Sequence, residues 1–116
     1  MIRKAAERET IVRSQAKGGK GNFINQLILT EEELRPAARH YSVSILPPGA
    51  SVGMHVHTDE MEVCYFLFGK GVVIDENGTT PVGPGDVNIV LNGHGHSVEN
   101  TGDVDLVYTA LILMNE

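Results

Sequence analysis

The chain has 116 residues, 41% of them hydrophobic and 21% charged, values that suit one globular domain with a single core and exclude a disordered chain. Its formal net charge of −6 repels phosphate backbones and anionic membrane surfaces, so neither nucleic acid nor a membrane is expected as a partner. The lone cysteine, Cys64, excludes an intrachain disulfide and a CxxC motif, and with no signal-like apolar run the expected location is the reducing cytoplasm.

Residues 1–22 end in KGGKGN, which predicts a glycine-rich loop. The basic residues near the start (Arg3, Lys4, Arg8, Arg13, Lys17 and Lys20) are spread among apolar and acidic ones and are read as a solvated surface. FINQLIL predicts a strand. TEEELRP predicts a short helix capped by Thr30, with Glu33 completing a capping box and Pro36 bounding the turn. From Arg39 onward the pattern is β: HYSVSIL, SVGMHVH, the long run MEVCYFLFGKGVVI, TTPV, VNIVL, HSVEN and LVYTALIL, divided by Gly, Pro, Asn and Asp. Such runs, spaced at about ten residues, predict an all-β antiparallel sandwich or barrel. Residues 1–38 read as an N-terminal extension and residues 39–116 as the barrel.

Within GASVGMHVHTDEMEVCYFLFG, His55 and His57 stand one residue apart, so a strand projects both from one face. Glu62 has the opposite parity to His57 and would point away on one continuous strand. A turn at Thr58-Asp59 resolves this by placing Glu62 on a following antiparallel strand that faces the same interior. Glu60 is the rival carboxylate, but falls within the proposed turn; Glu62 is preferred. An HxH pair alone is weak evidence of a metal site, since polar residues often alternate on half-exposed strands. A second cluster downstream, GDVNIVLNGHGHSVEN, changes that weighting.

Together these stretches resemble the two motifs of the small single-domain cupins, including the microbial ones related to oxalate-decarboxylase-type barrels. Gly49, His55, His57, Glu62 and Gly69 match every gap of the first motif, and Gly85, Gly93, His96 and Asn100 match the second. Leu91 replaces the second motif's proline, a departure at a strand-to-loop corner that leaves the ligand position untouched. The resemblance covers roughly residues 41–113 and implies a double-stranded β-helix, or jelly-roll, barrel. It further implies that His55, His57, Glu62 and His96 bind one divalent metal ion per chain. Three imidazoles and one carboxylate suit Mn, Fe, Co, Ni or Zn and are too nitrogen-rich for Ca or Mg. An octahedral ion would keep two open positions.

Around these four, His94 is read as solvated at the barrel mouth, with substrate contact as the alternative. His40 is read as a partly buried strand residue, and Cys64 as a small buried hydrophobe on Glu62's inward face. Phe66 and Phe68 are expected in the cavity wall, and Asn100 is expected to satisfy backbone groups. The expected function is a metal-dependent enzyme (an oxidoreductase, lyase or isomerase) acting on a small carboxylate or carbohydrate-derived substrate. A binding or storage module is the alternative. Candidate acids and bases beyond the ligands are His94, His40 and Tyr41. The ligand class is a carboxylate or polyol. A homodimer is expected, with residues 1–29 reaching the partner as cupins of this size commonly do.

Overall fold

Strand runs that alternate inward and outward side chains build two antiparallel sheets, described by a computed structural model over residues 1–115. The strands are β1 (Thr10–Ser14), β2 (Asn22–Leu27), β3 (Ala38–Leu46), β4 (Ser51–Val56), β5 (Glu60–Phe68), β6 (Gly71–Asp75), β7 (Gly78–Val82), β8 (Val87–Val90), β9 (Gly95–Asn100) and β10 (Leu106–Met114). One sheet runs β1-β2-β3-β10-β5-β8 and the other β4-β9-β6-β7. A one-turn helix, α1 (Glu31–Leu34), carries the expected capping box, with the Glu33 amide donating to Thr30 Oγ1 and the Thr30 amide to Glu33 Oε1. No helix among the described residues is long and apolar enough to cross a membrane.

One strand is added to those expected from sequence, and two expectations are corrected. Residues 10–14 form a strand that was not anticipated: β1 pairs with β2, and β2 with β3, so the N-terminal segment extends the larger sheet. The run from 61 to 74 is two strands in different sheets, because the chain turns at Gly69. That residue has φ +78, and a Cβ there would stand 2.2 Å from the Asp105 carbonyl oxygen, so only glycine fits. Finally, β4 and β5 do not pair with each other. The chain crosses from one sheet to the other at residues 57–59, where Asp59 takes φ 60.

Register divides the interior into layers. Leu46 lies opposite Leu106, and Tyr108 lies between Ser44 and Phe66; Ala110 lies between Ser42 and Cys64, and Ile112 between His40 and Glu62. The first layers are apolar, and with Val52, Val73 and Val98 from the other sheet they close one end of the barrel. Each large side chain buried there contributes about 1.5–3 kcal/mol. Moving along the strands toward His40 and Glu62, the inward positions turn polar, and there the barrel opens into a cavity.

Candidate metal centre

Four side chains meet where the polar ends of the two sheets face each other. His55 belongs to β4, His57 follows it directly, Glu62 comes from β5 and His96 from β9. Their nearest ligand atoms all lie within 4.8 Å of one another. Alternation puts His55 and His57 on one face as the sequence implied, and pairing of β4 with β9 sets His55 directly opposite His96. On β5, Glu60, Glu62, Cys64 and Phe66 all point inward. The alternation then fails: Val107 faces Phe68 while Tyr108 faces Phe66, so Leu67 is an extra residue on β5. Phe68, expected in the cavity wall, is therefore exposed.

Each histidine is held by its δ nitrogen. His55 Nδ1 donates to the Gly53 carbonyl at 2.7 Å, His57 Nδ1 to Glu60 Oε2 at 2.6 Å, and His96 Nδ1 to Asn88 Oδ1 at 2.6 Å. All three partners are oxygens that accept, so each neutral ring carries its proton on Nδ1 and turns its Nε2 lone pair inward. His57 Nε2 and His96 Nε2 come within 3.2 and 2.8 Å of Glu62 Oε1, yet neither makes an aligned hydrogen bond and both are sealed from solvent. Buried polar atoms are almost always paired. Two unpaired ring nitrogens beside one carboxylate form a donor set that fits a borderline first-row cation.

The electrostatics favour positive charge at this point. Burial, the largest single influence, would raise the Glu62 carboxyl, but the close approach of the His57 and His96 rings together outweighs it and holds Glu62 far below the usual carboxylate range. Glu62 in turn raises His57, as Glu60 does, against the effect of burial. His55 is lowered, chiefly by burial. Burial beside Glu62 pushes the Cys64 thiol up, so it stays protonated as the inert residue expected.

Sequence reasoning underrated the supporting residues. Glu60 opens β5, is nearly buried and ties His57 to Arg39, whose Nε and Nη2 meet its two oxygens at 2.6 and 2.7 Å. That fork, with His57 assisting, holds Glu60 at a pKa of about 2. Arg39 reaches it because Ile112 and Leu113 oppose His40 and Ala38, leaving Arg39 as the extra residue of a bulge. Asn88 gave no signal in the sequence beyond its place in a strand.

Beside the four converging residues lies a cavity of about 400 Å3. Its wall includes Arg13, Lys17 and Arg39 against the carboxylates of Glu60 and Glu62, with Phe23, Val52, Val56 and Ile112 as apolar surface. Arg13 and Lys17 are exposed, as read from sequence, and also line the rim of the cavity, because β1 and the turn at 16–18 lie beside it. Lys17 is brought in by two glycines: a Cβ on Gly19 would stand 2.1 Å from the Ser51 oxygen, and one on Gly53 2.0 Å from the Lys17 oxygen. His40 also lines the cavity. His94 does not: it is exposed, and its Nδ1 meets Glu76 Oε1 at 2.6 Å. Tyr41, opposite Leu111 on β3, is half-buried and away from the cavity wall. Asn100 Nδ2 donates to the Leu46 and Val104 carbonyls, a backbone role.

Comparison with known proteins agrees with this geometry. The Cupin domain family matches residues 42–112. A Thermotoga maritima protein named oxalate-binding protein is 41% identical over 101 residues, covering 87% of this chain and 84% of its own length. The crystal structure of a predicted oxalate decarboxylase from Thermotoga maritima superposes with a TM-score of 0.92 at 38% identity, covering 98% of this chain and 99% of that one. A Silicibacter pomeroyi cupin-superfamily protein described as a sugar phosphate isomerase superposes with a TM-score of 0.77 at 20% identity, covering 97% and 74% of the two chains, a likeness of fold alone.

Proposed function

The chain belongs to the cupin family, and from that premise we propose that it captures a small dicarboxylate of the oxalate class at a divalent metal centre held by His55, His57, Glu62 and His96. The observation that carries this reading is the pairing of an inward-facing His/Glu donor set with a cavity wall bearing Arg13, Lys17 and Arg39. A bound Mn, Fe, Co, Ni or Zn ion supplies Lewis-acid charge and open coordination positions suited to carboxylate oxygens. Arg13 and Lys17 draw an anion into a chain that is otherwise net negative, while Val52, Val56 and Ile112 limit the water around it. Arg39 is committed to Glu60, and so serves His57 more than the ligand. The relative's name, oxalate-binding protein, favours this ligand class.

Calorimetric titration of the Zn2+-loaded protein with oxalate, acetate and glucose tests the reading. Oxalate should bind at least about tenfold more tightly than acetate, because two carboxylates engage where one does. Binding should vanish in the metal-free protein and in His96→Ala. Equal oxalate affinity with and without metal would sink it. Turnover is the second reading, motivated by His40, which alone among His94, His40 and Tyr41 lines the cavity. Protonated oxalate split into formate and carbon dioxide would be seen by 13C NMR; no product after prolonged incubation leaves the binding reading.

The protein acts, on this reading, as a homodimer in the cytoplasm. The buried thiol of Cys64 suits a reducing compartment. Tyr65, Leu67, Val87 and Ile89 are exposed on β5 and the edge strand β8, an apolar face that a second copy would cover. That places the contact on β8, at the far edge of the sheet from the expected N-terminal strand.

A further inference from the structure

A line of polar side chains crosses the inner face of the larger sheet, and the metal centre does not use it. Arg13 Nη1 donates to Asn25 Oδ1 at 2.7 Å, and Asn25 Nδ2 donates to Ser44 Oγ at 3.0 Å. Ser44 Oγ meets Ser42 Oγ at 3.2 Å, and Ser42 Oγ meets His40 Nε2 at 2.7 Å. Asn25 is 1% exposed and both serines are fully buried, so no water competes for these bonds.

The chemistry of the Arg13 end fixes the direction of the first two bonds. A guanidinium only donates, so Asn25 must present its oxygen to Arg13 and its amide nitrogen to Ser44. That nitrogen only donates, so Ser44 accepts and has one hydrogen left to give. Either hydroxyl can donate in the Ser44–Ser42 bond; with Ser44 donating, Ser42 passes its own hydrogen to His40 Nε2. A ring nitrogen that accepts carries no proton, so in that arrangement the neutral ring holds its proton on Nδ1. Burial lowers the pKa of His40 and so favours the neutral ring. His40 Nδ1 makes no hydrogen bond among the described residues and is not one of the sealed-off polar atoms, while the ring lines the cavity.

We propose that His40 is a hydrogen-bond donor to the captured carboxylate, fixed in its Nδ1–H tautomer by a one-way relay from Arg13 through Asn25, Ser44 and Ser42. This rests on the dicarboxylate reading above. It also gives Arg13 a second task, since the residue that attracts the anion sets the proton on a ring elsewhere in the same cavity wall. His40 and Glu62 flank Ile112 in register, so the donor stands two strands from the Glu62 ligand in the same sheet.

The relay is reversible by design of a single change. Asn25→Asp replaces the amide donor by an acceptor, so Ser44 must donate to Asp, Ser42 to Ser44, and His40 Nε2–H to Ser42. Long-range 1H–15N NMR of the Zn2+-loaded protein, with His40 assigned through His40→Gln and recorded at a pH where the ring is neutral, reads the tautomer directly. Native protein should show Nδ1–H, Asn25→Asp should show Nε2–H, and Ser42→Ala should show a mixture. Because Asn25→Asp puts a charge at a position only 1% exposed and risks the fold, Ser42→Ala alone suffices as the second variant. A native Nε2–H ring, or a tautomer indifferent to Ser42→Ala, overturns the relay.

The donor role is read by calorimetry with oxalate on the same Zn2+-loaded protein. His40→Leu should weaken oxalate about tenfold or more, the loss of one hydrogen bond to a charged acceptor. His40→Asn, which keeps an N–H near Nδ1, should recover most of it. Native oxalate binding that is unchanged in His40→Leu overturns this proposal alone. No oxalate binding by the loaded native protein overturns the dicarboxylate reading, and the donor role with it.

Discussion

Glu60 is the residue whose replacement says most about the centre. Its Oε2 accepts from His57 Nδ1 at 2.6 Å while both its oxygens receive the Arg39 fork at 2.6 and 2.7 Å. Glu60→Gln keeps the shape but supplies only one accepting oxygen, and its amide hydrogens must then face either His57 Nδ1–H or an Arg39 N–H. One of the two contacts becomes a donor–donor clash, and the His57 ring is free to turn its Nε2 away. Loss of such a supporting hydrogen bond costs about 10- to 100-fold in metal affinity. With Zn2+ at 100 times the native dissociation constant, ligand binding stabilises the native protein by about 2.7 kcal/mol; the variant would gain only about 1.4 to 0.4 kcal/mol. For a chain of this length about 4 °C accompanies each kcal/mol, so a metal-induced rise in Tm of about 11 °C should shrink to about 6 to 2 °C. The comparison is between loaded and metal-free samples of each variant, which removes any effect of Glu60→Gln on the metal-free fold. Chelator competition supplies the dissociation constants independently. If Glu60→Gln binds Zn2+ like the native protein while His57→Ala does not, Glu60 does not orient His57 and the assignment of its role is wrong.

Gly53→Ala should cost about 1–3 kcal/mol in urea unfolding, since the new Cβ forces β4 and the Lys17 backbone apart. Faster amide exchange at residues 16–20 should accompany it, and a variant as stable as native would show that the close approach carries no weight. Glu33, hydrogen-bonded to Arg3 and to the Thr30 cap, has its pKa lowered to about 2, so its contribution is present above the ordinary carboxylate range and is lost as pH falls toward 2. An NMR titration should find that low midpoint, and Glu33→Gln should remove its share of the acid sensitivity; a midpoint near 4.5 contradicts the pairing. Sedimentation equilibrium at micromolar concentration should give a dimer for the native chain and a monomer for Ile89→Lys, and a native monomer refutes the β8 contact.

The parts of the molecule legible in the sequence were those set by spacing. His55 and His57 share a face because strands alternate, and a turn after His57 was required before Glu62 could join them; Asp59 at φ 60 is that turn. The capping box of α1 was equally legible, because its two residues act within one turn of chain. Pairing partners were not. SVGMHVH and MEVCYFLFG read naturally as neighbours, whereas they belong to opposite sheets and meet only through the cavity. Sequence adjacency says when the chain turns, not which sheet receives the next strand.

The misread positions have a common physical cause. Alternation places a residue only while the register holds, and a bulge adds one residue that shifts everything beyond it. The extra residue at Leu67 turned Phe68 outward, and the extra residue at Arg39 turned a charge inward to meet Glu60. Both bulges border β10, the strand paired with β3 on one side and β5 on the other. Arg39 could not have paired with Glu60 from a regular β3 without displacing His40 or Ser42 from the inner face, and either displacement would break the relay from Arg13. The bulge at Arg39 therefore lets one strand serve two networks at once, the His57 support through Glu60 and the His40 tautomer through Ser42. Deleting Arg39 should restore regular pairing with His40 still opposite Ile112, so the His57 ring would lose its anchored acceptor while His40 stays on Ser42. Chelator competition should show weaker Zn2+ binding in that variant, with the His40 nitrogen shifts kept. If the His40 tautomer changes along with Zn2+ affinity, the relay depends on the bulge as well.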